Sequence, residues 1–269
     1  MKLDPDSLIL ASDLEGLSDH HLDGYVTHAL CLDGRCDFRY GDETLSIGKG
    51  DLMILLFNSM FNDIKPERDF KVEVIHVSLS FMERCTPHTS YGVVGGLSMF
   101  KNPVMHLTER DFRLCRQDFD NVFSRMADPH THFHGDEMMA AVQMMFVDFY
   151  EFHARIYGDP DISALTAGII RKFIDLLEQG EYRKSREVSH YADILCITPK
   201  YLSEVCRKVS GFSASDWIDR FMAIEIAQLL RDKSLTLTDI ADRFDFSSAS
   251  HFSRYVQKNL GAPPTAFRE

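Results

Sequence analysis

The alternation of apolar and polar positions divides the chain into three regions. From about residue 20 to 105 the period is two. Arg35-Cys36-Asp37-Phe38-Arg39-Tyr40 alternates, Gly41-Asp42 marks a turn, and Leu45 and Ile47 resume the pattern. Gly48 and Gly50 precede the apolar run Leu52 to Phe57, which reads as a buried strand. Phe70-Lys71-Val72-Glu73-Val74 alternates again and turns apolar on both faces through Leu79. Short strands at this spacing predict a small β-barrel or sandwich, with Phe38, Tyr40, His76 and Ser78 as candidates to face its interior.

From about 107 to 156 the period becomes helical. Thr108 can cap a helix with Asp111 three residues on, and Phe112, Cys115, Phe119, Val122, Phe123 and Met126 share its stripe. A second helix places Met138, Val142, Met145, Phe146, Phe149 and Phe152 on one face. Met139, Met144, Val147 and Tyr150 lie off that face, so more than one side needs covering. A hairpin that packs on the barrel and pairs with a second copy would meet that need, and so would burial within one chain. Tyr157-Gly158-Asp159-Pro160-Asp161 interrupts the pattern. The boundary therefore falls between a domain at 1–158 and one at 159–269.

The last region is helical and contains a repeat. Val188 to Thr198 (VSHYADILCIT) matches Leu237 to Ser247 (LTDIADRFDFS), and each copy runs into a helix that ends near Gly211 or Gly261. A small residue, Ala192 or Ala241, stands where two helices would cross closely. A turn at Cys196 or Asp245 follows, then an apolar residue, Ile197 or Phe246, and a hydroxyl cap, Thr198 or Ser247. Pro199 suits the first helical position. This order of features is that of a helix-turn-helix, at about 188–211 and 237–261. Two copies in register are far more specific than one.

With Leu202, Val205 and Val209 turned inward, the first recognition helix leaves Lys200, Tyr201, Ser203, Glu204, Arg207 and Lys208 outside. With Phe252, Tyr255 and Val256 inward, the second leaves Ser248, Ala249, Ser250, His251, Arg254, Gln257 and Lys258. All of these but Glu204 are candidate DNA contacts. Residues at the start of such a helix reach base edges, and cations further along hold phosphates. Between the copies a helix from about Ser213 to Arg231 would hold them apart, and two major grooves on one DNA face lie roughly 34 Å apart.

These residues resemble the DNA-binding domain of the AraC/XylS-type transcription regulators over about residues 165–269. The resemblance is carried by Ala192 to Gly211 and by Leu237 to Arg268, with the closing Gly261-x-Pro263-Pro264-x-x-Phe267-Arg268. It implies an α+β protein: a cupin-like effector-binding and dimerisation domain, then an all-α domain with two helix-turn-helix units. It also implies double-stranded DNA as partner, a homodimer formed through the N-terminal helices, a small-molecule effector and contact with RNA polymerase. Three positions depart from the family pattern: Asp245 for glycine, Glu204 where a basic residue is common, and Met222 for an arginine.

Charge refines this picture. The net charge is −12, all of it in residues 1–160, and residues 161–269 are balanced. Phosphate binding would depend on cations gathered on one face. Other chemistry finds little support. His130-Thr-His-Phe-His134 could ligate metal if extended, but it falls between two helices, where an exposed loop is commoner. His28 and His76 stand singly, His20-His21 reads as surface, and no nucleophile elbow, P-loop or dinucleotide fingerprint is present. No cofactor and no enzymatic activity are expected; the alternative is a metal-binding or enzymatic cupin with an appended DNA-binding module. The six cysteines show no metal spacing and read as buried thiols in a reducing compartment. No run is long enough to span a membrane, and Met1 to Asp6 does not look like a secretory signal, so a cytoplasmic location is expected.

Overall fold

The computed structural model describes residues 7–17, 22, 24–40, 43–87, 92–158 and 163–268. His20-His21, the Gly41-Asp42 turn and most of the 157–161 boundary signal lie outside the described residues. The chain forms two compact units, residues 1–159 and 160–269.

The first unit has two antiparallel sheets. β1 (Leu8–Ala11), β2 (Tyr25–Asp33), β5 (Asp51–Leu55), β7 (Lys71–Ser78) and β8 (Val104–His106) form one, in the order β1-β7-β2-β5-β8. β3 (Arg35–Tyr40), β4 (Glu43–Gly48) and β6 (Phe61–Pro66) form the other, in the order β4-β3-β6. The alternation predicted for 35–40 holds: Cys36, Phe38 and Tyr40 are buried, and their neighbours are exposed. Gly34 shows why the turn before β3 needs glycine. Its φ is +68° and a Cβ would lie 2.7 Å from the Phe70 backbone.

Two parts of the strand region depart from expectation. β1 precedes the predicted range, as a short edge strand in register Leu8 to Val77. Residues 79–99 contain helices, α1 (Leu79–Cys85) and α2 (Gly92–Met99), instead of further strands. Ser78 accordingly does not line the interior; its hydroxyl accepts the Phe81 N–H and caps α1. Phe38, Tyr40 and His76 are buried as expected.

The sheet pairing also separates the two buried strand histidines. Thr27 lies opposite His76 and His28 opposite Ile75, so the histidines face opposite sides of the sheet. His76 Nδ1 is 2.8 Å from the Thr27 hydroxyl, which donates to Asn58. His28 stacks against Phe146 and Phe149, and burial pulls its pKa down to about 3.

Those two phenylalanines belong to α4 (His134–Tyr157), the antiparallel partner of α3 (Glu109–Ala127). Thr108 caps α3 through the Asp111 N–H, and Asp111 receives Arg155 from α4 at 2.6 Å. Met138, Val142, Met145, Phe146, Phe149 and Phe152 are all buried. On the other side of α4, Met144 is 58% exposed and Val147 38%. Burial and the neighbouring Asp148 push the Asp118 carboxyl up to about 7. No helix among the described residues is long and apolar enough to cross a membrane.

The second unit consists of helices and short turns: α5 (Ala164–Glu178), a 3-10 turn at Glu181–Arg183, α6 (Val188–Ile194), α7 (Pro199–Ser210), α8 (Ala214–Arg231), α9 (Leu237–Arg243) and α10 (Ala249–Leu260). Met222, the departure in the linker helix, is fully buried on α8.

Candidate nucleic-acid interface

Helices α6 and α7, and again α9 and α10, are built from the same local parts. Ala192 and Ala241 are buried where the paired helices approach, and their carbonyls accept the N–H of Ile197 and Phe246 at 2.9 and 3.0 Å. Closing that turn requires one left-handed residue. Cys196 supplies it at φ +55° and Asp245 at φ +52°, so the missing glycine is replaced by a residue that tolerates the conformation. Cys196 is exposed by this geometry, unlike the other five thiols, which corrects the expectation that all six are buried.

The second helix of each pair then begins on a hydroxyl cap. Thr198 accepts the Tyr201 N–H at the start of α7, and Pro199 occupies the first turn. In the second unit the cap is Ser248, which accepts the His251 N–H, and not Ser247. The second turn is thus one residue longer, with Ser247 as the extra residue and its hydroxyl 3.2 Å from His251 Nδ1. Both helices end on left-handed glycines, Gly211 and Gly261.

Each recognition helix is tied to α8 by a polar contact. Trp217 on α8 donates to the Ser210 hydroxyl at 2.8 Å, at the C-terminus of α7. Tyr255 on α10 donates to the Asp219 backbone and side-chain oxygens at 3.0 and 3.1 Å. Burial pushes the Asp219 carboxyl up, while the Tyr255 bond opposes that shift. A capping box between Ser213 and Asp216 starts α8.

The predicted outer positions are placed as follows. Lys200, Arg207 and Lys208 are exposed, Tyr201 is 37% exposed, and Ser203 is half-buried. Lys200 comes within 3.8 Å of Glu204, and the Tyr201 hydroxyl within 3.4 Å of Thr166 on α5. On α10, Ser248, Ala249, Ser250, Arg254 and Lys258 are exposed. His251 is half-buried, edge-on to the Phe246 ring. Gln257 is exposed, but its amide donates to the Gly261 carbonyl at 2.8 Å, across the helix end.

The histidine run does not form an extended ligand face. His130 and His132 are exposed in the turn between α3 and α4, and His134 begins α4. Among the described residues no group of three His, Cys, Asp or Glu is placed to hold a metal ion.

The geometry has counterparts in known proteins. Residues 191–269 match a family described as a helix-turn-helix domain. The HTH-type transcriptional regulator YobQ of Bacillus subtilis is 29% identical over 93 residues, 35% of this chain and 36% of that protein. PqrA of Proteus vulgaris, named as a transcription factor, is 28% identical over 69 residues, 26% of this chain and 57% of that protein. The chain thus matches about a third of one relative's length and somewhat over half of the other's. ToxT from Vibrio cholerae has the same fold across both units, at TM-score 0.52 and 14% identity over 91% of this chain and 89% of that chain. The C-terminal unit contains a helix-turn-helix domain, following an N-terminal unit of antiparallel sheets and helices.

Proposed function

We propose that the protein is a sequence-specific DNA-binding transcription regulator that reads two successive major grooves with α7 and α10. The observation that carries this reading is the pairing of two helix-turn-helix units in register, each recognition helix bonded to the one linker helix. Lys200, Tyr201, Ser203, Ser248, Ala249, Ser250 and His251 lie toward the helix starts and are assigned to base edges. Arg207, Lys208, Arg254 and Lys258 are assigned to phosphates, and Gln257 to a base edge. The likeness to transcriptional regulators supports it.

The N-terminal unit is assigned to effector binding and to pairing of two copies in the cytoplasm. One ToxT structure holds an unsaturated fatty acid and another a naphthalenyl butenoic acid, which supports a small-molecule effector for the same fold here. The exposed Met144 and Val147 on α4 support pairing through that helix. RNA polymerase is a further partner consistent with the regulator role.

A selection from random duplexes with the full-length protein tests the core of this. Two blocks of sequence preference centred one helical turn apart are expected. A pool that shows no enrichment would overturn the reading.

A further inference from the structure

One set of polar contacts in the C-terminal unit links the two helix-turn-helix units to each other and to the linker helix. It begins on α6, where His190 Nε2 lies 2.9 Å from Glu181 Oε1. Glu181 opens the 3-10 turn that leads into the first unit, and its pKa is held down by Lys184 and then by His190. The next two residues turn to α8. The Tyr182 hydroxyl donates to Glu225 Oε2 at 2.7 Å, and Arg183 Nε donates to both Glu225 oxygens at 2.9 and 2.8 Å. From α9, Arg243 approaches Glu225 Oε1 at 3.6 Å. Glu225 itself is only 13% exposed.

Ring contacts repeat the same link. Tyr182 stacks on Phe244, at the end of α9, with 10° between planes. The Arg186 guanidinium lies 4.5 Å over the ring of Phe246, in the turn before α10. Residues 181–186 therefore enter the first helix-turn-helix while fastened to the linker helix and to the second.

Apolar contacts could hold these parts together at several relative rotations, because they have little directional preference. A carboxylate that accepts from a phenol and a guanidinium fixes direction as well as distance. Such a partly exposed ionic centre adds little net stability but favours one arrangement. We propose that Glu225 is a positioning residue that sets the spacing and rotational phase of the two recognition helices, and so the distance the protein prefers between the two blocks of its DNA site. The inference rests on the DNA-reading function proposed above.

The test uses full-length wild type, Glu225→Gln and Glu225→Ala. Each competes for duplexes with the two blocks at the selected spacing, or with one or two base pairs inserted or removed. Each inserted pair moves a block by roughly 3.4 Å and also rotates it. Wild type should discriminate sharply. Glu225→Ala should lose on the order of tenfold of that discrimination, the equivalent of one charge-assisted hydrogen bond. Glu225→Gln keeps an acceptor for Tyr182 and should lose less. The readout is a ratio of affinities, so it does not move with the folded fraction, which Trp217 fluorescence follows. If Glu225→Ala does not fold, Arg243→Gln tests the same link, with a smaller expected loss. Unchanged spacing preference in the folded variants would overturn the proposal. Absence of any sequence preference in wild type would instead overturn the DNA-reading function.

Discussion

The two helix-turn-helix units share a frame and differ in what they present. Each has a buried alanine under the turn, a non-glycine residue at positive φ, a hydroxyl cap and a left-handed glycine at the end. Aligned from cap to glycine, Tyr201 corresponds to His251, Glu204 to Arg254 and Arg207 to Gln257, while Lys208 meets Lys258. Their cores differ too. The first is mainly aliphatic, with Leu202, Val205 and Val209, and the second aromatic, with Phe246, Phe252 and Tyr255. Backbone closure and burial tolerate few alternatives at the frame positions, whereas the outer positions are free to differ. Two similar frames can therefore hold chemically unequal surfaces.

The largest expected effects break the frames. Phe252→Ala should cost about 3–5 kcal/mol and Leu202→Ala about 2–5 kcal/mol, because each empties a fully buried site. Trp217, the single tryptophan, is buried on α8 and reports urea unfolding of this unit alone. A loss below 1 kcal/mol at either position would show that the frame does not depend on it.

Charge exchange sharpens the contrast between the surfaces. Glu204→Arg gives α7 the cation that Arg254 gives α10, and should steepen the dependence of log affinity on log salt by about 1. Arg254→Glu should flatten it by a similar amount. Titrations between roughly 50 and 200 mM salt check both.

Smaller effects arise in the turns. Cys196→Gly should stabilise the unit by roughly 0.5–1 kcal/mol, since glycine relieves the left-handed backbone. Asp245→Gly should gain less, because aspartate already tolerates that region. Equal gains would show that the two turns carry equal strain. Asp219 gives the second unit a pH dependence. Its folded pKa is raised, so its contribution is complete below the ordinary carboxylate range and declines as pH rises through the raised value. Asp219→Asn can keep an acceptor for Tyr255 and should lose less stability than wild type as pH rises from the ordinary carboxylate range through the raised value, followed by urea unfolding at each pH.

Much of the C-terminal unit was legible because helix-turn-helix features are local: caps, turn residues and stripes fall within a few residues of one another. The Ser248 cap was missed because either of two adjacent serines can cap, and only the backbone shows which does. In the N-terminal unit, α1 was hidden because it follows β7 without a break, and α2 because its apolar stretch, rich in Val and Gly, shows no helical stripe. The four-residue β1 was too short to show alternation. Glu225 had no sequence signature, since its partners Tyr182 and Arg183 lie more than 40 residues away.

Photo-crosslinking from the two surfaces tests the central claim most directly. A photoreactive residue is placed at Tyr201 on α7 or at Ser250 on α10 of the full-length protein, bound to its selected duplex. The account predicts crosslinks in two successive major grooves, roughly 10 base pairs apart on one face. Crosslinks from both positions to the same groove, or from only one of the two, would contradict it.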